Sequence, residues 1–215
     1  MTEDRRVATG GESLATLLGG RTGAVDATAP PVAFVAGYLA GGLRYGVAAA
    51  VLAAAAVGAW RLARGDRLRA VILGLLGVSV AALVALRTGR AVDFFAIRIA
   101  TNAASALAWL ASIAIRWPLL GVVVGLALGQ KTRWRRDPDL MRAYSRASWV
   151  WVGQYVVRLA VFLPLYYNDQ AVALGVAQAA LTWPLIALCL AVSWWVIRRS
   201  LPPDHPGLRH PREAP

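Results

Sequence analysis

Cysteine, histidine and acidic side chains are all scarce in this sequence, and each shortage closes off a class of chemistry. Cys189 is the single cysteine of the 215 residues and lies inside an apolar run, so an internal disulfide is excluded. The two histidines, His205 and His210, sit near the C-terminus, which leaves no Cys/His set with metal-ligand spacing and no histidine in the apolar body to act as a base. Asp and Glu number 11 against 23 Lys and Arg, and charged residues make up 16% of the chain where soluble proteins have about 25%. HExxH, CxxC and GxxxxGK[ST] strings are missing, and the few carboxylates are peripheral. The sequence therefore reads as a non-enzyme with no catalytic residues, no metal and no cofactor. The first 30 residues are polar and glycine-rich, lacking the apolar core of a signal peptide, so the N-terminus is expected to be retained.

What the sequence has in abundance is apolar length. It is 58% hydrophobic with mean hydropathy +0.54, and several runs approach the roughly 20 residues needed to cross about 30 Å of hydrocarbon as a helix. The expected fold is all-α, a polytopic transmembrane helix bundle with spans near residues 30–43, 45–62, 70–86, 94–115, 149–167 and 172–197. Pro30 and Pro31 are expected to open the first span. Residues 118–128, PLLGVVVGLAL, are apolar but about half the crossing length, which predicts a re-entrant or interfacial helix. Residues 1–29 are expected to form a cytoplasmic tail carrying a short amphipathic helix from Ser13 to Leu18, and residues 200–215 a disordered cytoplasmic tail.

The net charge of +12 and pI near 11.3 would suggest nucleic acid as a partner of a soluble domain. Here the cations lie between apolar runs, so they read as topology signals and headgroup contacts instead. With six crossings and both termini inside, eighteen Arg and Lys fall on the cytoplasmic side. Only Arg44, Arg87 and Arg90 fall outside, while Arg98 and Arg158 lie within spans. A seventh crossing at 118–128 would place a strongly basic loop outside. Trp60, Trp117, Trp134, Trp149, Trp151, Trp194 and Trp195 fall near span ends, where an amphipathic indole anchors at the interface.

Polar side chains in hydrocarbon are costly and mark the bundle interior. Arg98, Asn102, Ser105, Trp109 and Ser112 share one helical face of span four. Trp151, Gln154, Tyr155 and Arg158 do so in span five, and Gln178, Thr182, Cys189 and Ser193 in span six. Arg98, Asn102, Gln154, Arg158 and Gln178 form the candidate site for an anionic headgroup or solute, because guanidinium groups bind phosphate and carboxylate bidentately. The structural alternative is that these arginines snorkel or bond to carbonyls across the helix interface. Two further sets stand out. In the turn LRTGRAVDFF, Arg90 and Asp93 lie one helical turn apart and suit a local salt bridge. In the loop TRWRRDPDLMRAYSRAS, Arg133, Arg135, Arg136, Arg142 and Arg146 are placed to face anionic lipid.

The stretches PPVAFVAGYLAGGLRYG, LLGVSVAALVALRTGRAVDFF, RWPLLGVVVGLALGQKTRWRRDPDLMRAYSRASWVW and LAVFLPLYY, with RTGR-x-x-DFF and WRRDP as their most specific strings, resemble an actinobacterial membrane family catalogued as domain of unknown function 3159. The layout is also distantly similar to the intracellular septation protein A family, in which a proline-initiated half segment follows a long span and precedes a loop and two final spans. The first resemblance implies location and architecture but no activity. The second implies a bacterial inner-membrane protein of envelope integrity or division, acting through partners. The expected role is therefore a cell-envelope factor binding anionic membrane lipid, envelope or division proteins, or a second copy of itself, with no nucleic acid. A small transporter or channel for an anion is the alternative, and the lack of a visible inverted repeat counts slightly against it.

Overall fold

A computed structural model of the chain describes residues 20–130, 132–208 and 212. Within them run seven α-helices: α1 Gly20–Gly41, α2 Leu43–Ala63, α3 Leu68–Thr88, α4 Ala96–Ala114, α5 Leu119–Ala127, α6 Pro138–Tyr167 and α7 Ala171–Ser200. Two 3-10 helices, Ala91–Phe95 and Arg133–Arg136, lead into α4 and α6. No strand occurs among the described residues. The expected short helix over residues 13–18 lies outside them.

The first correction concerns Pro30 and Pro31, which lie inside α1 rather than opening it. Each proline removes one helical N–H and disfavours the preceding turn. Packing outweighs that cost: both rings are buried, and Pro30 lines a small cavity together with Ala54, Val57 and Gly58 of α2. The α1–α2 connection is the single residue Gly42, whose φ of 80° is open to glycine and strained for others. The two backbones then run in direct contact. A Cβ on Gly37 would sit 2.5 Å from the Tyr45 carbonyl oxygen and 2.8 Å from the Ala49 Cβ, so only glycine permits this approach.

From this hairpin, neighbours follow in the order α3, α2, α1, α7, α6, α4, with α5 lying against α6. At one end of the bundle, Phe34 stacks on Phe94 at 4.1 Å between centroids and meets Phe95 edge-on at 5.5 Å, and Phe162 and Leu174 complete that core. At the other end a second core gathers Leu120, Trp134, Leu140, Ala143, Tyr144, Ala147 and Ile197.

Outside these cores the helices turn apolar side chains outward, with Leu39, Leu52, Leu73, Leu107, Leu126 and Leu188 all more than half exposed. That surface suits lipid and not water. Five segments are long and apolar enough to cross a membrane: α2, α3, Ala91–Ala114, α6 and α7. The protein is a multi-pass membrane helix bundle. Six crossings were expected, and α1 is not among the five, because its first half, GRTGAVDATA, is weakly apolar. The half segment does form, as the nine-residue α5, about 14 Å long and too short to cross.

Two further boundaries differ from the sequence reading. α6 begins at Pro138, well before the expected 149, because Asp137 caps it: its carboxylate accepts from the Asp139 and Leu140 amides at 3.0 and 3.2 Å, with Pro138 at the first helical position. Of the tail expected to be disordered, the described residues 201–208 and 212 fold back onto that cap, where His205 and the Arg212 amide both reach Asp137.

Candidate functional site

The polar faces predicted for spans four, five and six belong to three helices of which α4 and α7 both pack against α6. α6 and α7 run antiparallel, registered by the Trp151 indole N–H donating to Ser193 Oγ at 3.1 Å and by Cys189 Sγ lying 3.8 Å from the Val150 carbonyl. Trp109 of α4 stacks on Trp151 at 5.2 Å, so the third helix enters at the same level.

Arg158 is the centre of the α6–α7 seam. It is buried, about 14 Å along the helix from the Tyr167 end, and donates to the carbonyls of Thr182 at 3.1 Å and Leu181 at 3.4 Å. Those carbonyls belong to the turn of α7 that Pro184 disrupts, since a proline at 184 removes the helical donor to residue 180 and crowds the preceding turn. The side chain therefore adds a donor beside the carbonyl of residue 180, the one that Pro184 leaves without its helical partner. It also lies 5.9 Å from the Tyr155 ring. Neither Arg158 nor Arg98 pairs with a carboxylate among the described residues. Arg98 is partly buried on α4, which packs against α6.

The amides around them are only partly satisfied. Asn102 Nδ2 turns back to its own helix, donating to the Arg98 carbonyl at 2.7 Å, and Thr182 Oγ1 donates to the Gln178 carbonyl at 2.6 Å. Gln154 and Gln178, 3% and 6% exposed, leave their side-chain oxygens without a donor. Arg158 Nε is buried without an acceptor. The five predicted ligand residues thus lie on these three helices, and three carry unspent hydrogen-bonding capacity.

The expected Arg90–Asp93 salt bridge forms, but as the longer of two that Arg90 makes. Arg90 reaches Asp93 only at 3.9 Å; its close partner is Asp169, at 2.7 and 3.0 Å, on the α6–α7 turn. Asp93 is buried and accepts from the Tyr166 hydroxyl at 2.5 Å. The RTGR-x-x-DFF string thereby fastens two turns together.

In the basic loop, Arg133, Arg135, Arg136, Arg142 and Arg146 are all exposed. Arg135 lies 3.8 Å over the Trp117 ring, and Arg142 pairs with Asp139 at 2.9 Å. Trp134 overturns its reading as an interfacial anchor, because it is fully buried and packs edge-on to Tyr144 at 5.6 Å and against Gly121 of α5. Sequence reasoning missed Asp137 altogether. Burial pushes its carboxyl up, but the Arg212 amide, His205 and the amides of Leu140 and Asp139 outweigh burial and hold it below the ordinary carboxylate range. The signal was present in Asp-Pro, a helix cap followed by its preferred first residue.

Comparison with known proteins adds a family. The chain belongs to the family described as Protein of unknown function (DUF3159), whose model matches residues 18–204. No curated protein and no solved structure matches it.

Proposed function

We propose that this member of the unknown-function family is a bacterial inner-membrane protein of the cell envelope whose bundle holds an anionic group, with Arg98 and Arg158 contacting phosphate. One observation carries the reading: two arginines lie on neighbouring helices of an apolar bundle, and among the described residues no carboxylate pairs with either. An uncompensated cation in hydrocarbon is costly, and an anion drawn from the membrane surface or from solution would offset it. The alternative partner, backbone carbonyl, occupies one terminal nitrogen of Arg158 and leaves Nε and the whole of Arg98 available.

The positive charge supports an orientation with both termini cytoplasmic. The end of the bundle holding Arg61, Arg64, Arg67, Arg69, the Arg133–Arg136 turn, Arg198 and Arg199 would face the cytoplasmic leaflet, and the Arg90–Asp169 end would face outward. Exposed Arg133, Arg135, Arg136, Arg142 and Arg146 would then meet anionic headgroups from within. Likeness of layout to the septation family supports a role in envelope integrity through lipid or protein partners.

The test is native mass spectrometry of the gently purified protein beside an Arg98→Ala/Arg158→Ala variant. An anionic lipid or metabolite that stays with the natural chain and leaves the variant is the expected result; equal occupancy, or none in either, would sink it. Pro184 inside α7, beside the same arginine, favours a second reading as an anion transporter, because helices weakened at mid-membrane often hold transported ions. Anion flux into proteoliposomes that disappears in the same variant would move the assignment to transport.

A further inference from the structure

The anionic-group reading rests on the arginines; the residues flanking them narrow the ligand. Along the α6–α7 seam, Gln154 lies one helical turn from Arg158 toward Trp151, and Gln178 lies one turn from Thr182 toward the opposite end. Because Arg158 bonds to Thr182 across the seam, the two glutamines bracket it at about 6 Å on either side. Both are more than nine-tenths buried, and neither side-chain oxygen receives a hydrogen bond. At the centre, Arg158 Nε is a donor with no acceptor.

Hydrocarbon can meet none of these demands. A fully ionised bare phosphate can accept from the arginines and from the amide nitrogens but has no donor for the two amide oxygens. An ammonium-bearing headgroup could donate to the amides, but it would place a third cation beside two guanidinium groups. A hydroxyl carries no charge, and it can donate to an amide oxygen or accept from an amide nitrogen, so it fits the glutamines in either orientation of the amide.

We propose that the seam binds a phosphate bearing a hydroxylated substituent, with the phosphate oxygens on Arg98 and Arg158 and hydroxyls on Gln154 and Gln178. A phosphoglycerol lipid headgroup and a free polyol phosphate share this chemistry. The inference depends on the anion site proposed above, and the experiment separates the two.

Delipidated protein is titrated with phosphatidylglycerol, with phosphatidic acid of the same acyl chains, with glycerol 3-phosphate and with inorganic phosphate, and bound species are counted by native mass spectrometry. Phosphatidylglycerol or glycerol 3-phosphate is expected to bind about ten-fold more tightly than phosphatidic acid or inorganic phosphate respectively, the discrimination of roughly one well-made polar contact. Preference for the lipid over the solute, or the reverse, identifies the source. In a Gln154→Leu/Gln178→Leu variant, with single Gln→Met variants as a check on folding, the preference is expected to vanish while phosphatidic acid still binds. Equal affinity for both lipids in the natural chain, lost on replacing the arginines, would overturn the hydroxyl inference and keep the anion site. A preference that survives in the glutamine variants would remove the glutamines from it. No retention of any anion would overturn both.

Discussion

Two buried charges in this bundle live under opposite regimes. Asp137, at the base, has every lone pair that geometry allows in use: two amides of its own helix, His205 and the Arg212 amide all donate to it within 3.2 Å. Arg158, in the seam, has two carbonyl contacts from one nitrogen and a further N–H with no partner. A fully satisfied buried ion ties elements together and is expensive to lose. A half-satisfied one adds little to stability and keeps its capacity for something else. The base is organised for holding the chain, and the seam for binding.

The largest expected effect follows from removing the satisfied charge. Asp137→Ala deletes a helix cap worth about 1 kcal/mol and strands the buried donors of His205 and Arg212, for a total of about 3 kcal/mol. Thermal unfolding in detergent should show a clear fall in melting temperature, with faster amide exchange in residues 201–208. A loss no larger than that of an Arg158 variant would dissolve the contrast. The same residue gives a pH dependence. Its folded pKa lies below the unfolded value near 3.9, so its contribution is present above that value and is lost as pH falls through the folded pKa. The melting-temperature gap between the natural chain and Asp137→Asn should therefore narrow as pH falls below about 4 and close below the folded pKa.

A second break tests whether the base is rigid. A Cβ on Gly121 would lie 2.8 Å from the Trp134 ring. That indole is fully buried and held edge-on by Tyr144, so it has little room to move. Gly121→Ala should cost about 2 kcal/mol by overpacking, in line with core insertions generally. Melting temperatures near those of the natural chain would mean that α5 slides freely over the loop.

The turn cluster at the opposite end gives a smaller effect. Arg90 and Asp169 are both largely exposed, and such pairs are screened by solvent and salt. Arg90→Gln should lower the melting temperature slightly at low ionic strength and not detectably in molar salt. A loss that persists in high salt would show that Arg90 acts by packing on Tyr166, over whose ring it lies at 5.5 Å.

The contrast also explains what could be read from the sequence. Apolar runs gave the helices, their approximate spans and the short α5, because hydrocarbon length and composition are local properties. The three polar faces were legible for the same reason and were found by spacing alone. What escaped was pairing at a distance. Asp93 looked tied to Arg90 because they are neighbours in sequence, yet its close partner is Tyr166, which no periodicity links to it. Asp137 and His205 lie 68 residues apart, and the tail that carries the histidine looked like a disordered end. α1 escaped because two prolines signal a helix start locally, whereas contact with α2 decides the matter.

The smallest expected effect on stability is the most informative one. Arg158→Leu removes a guanidinium whose desolvation is costly and whose two carbonyl contacts supplement a turn already weakened by Pro184. Replacing a poorly paired buried charge by an apolar side chain of similar reach is commonly neutral, so melting temperature should change by less than about 1 kcal/mol equivalent. In the same preparation, binding of anionic lipid should fall sharply, since the remaining cation, Arg98, has no second guanidinium to share a phosphate. Loss of binding without loss of fold would place Arg158 with the ligand. A large destabilisation with binding unchanged would instead make it the splint of α7 at Pro184, erasing the distinction between seam and base.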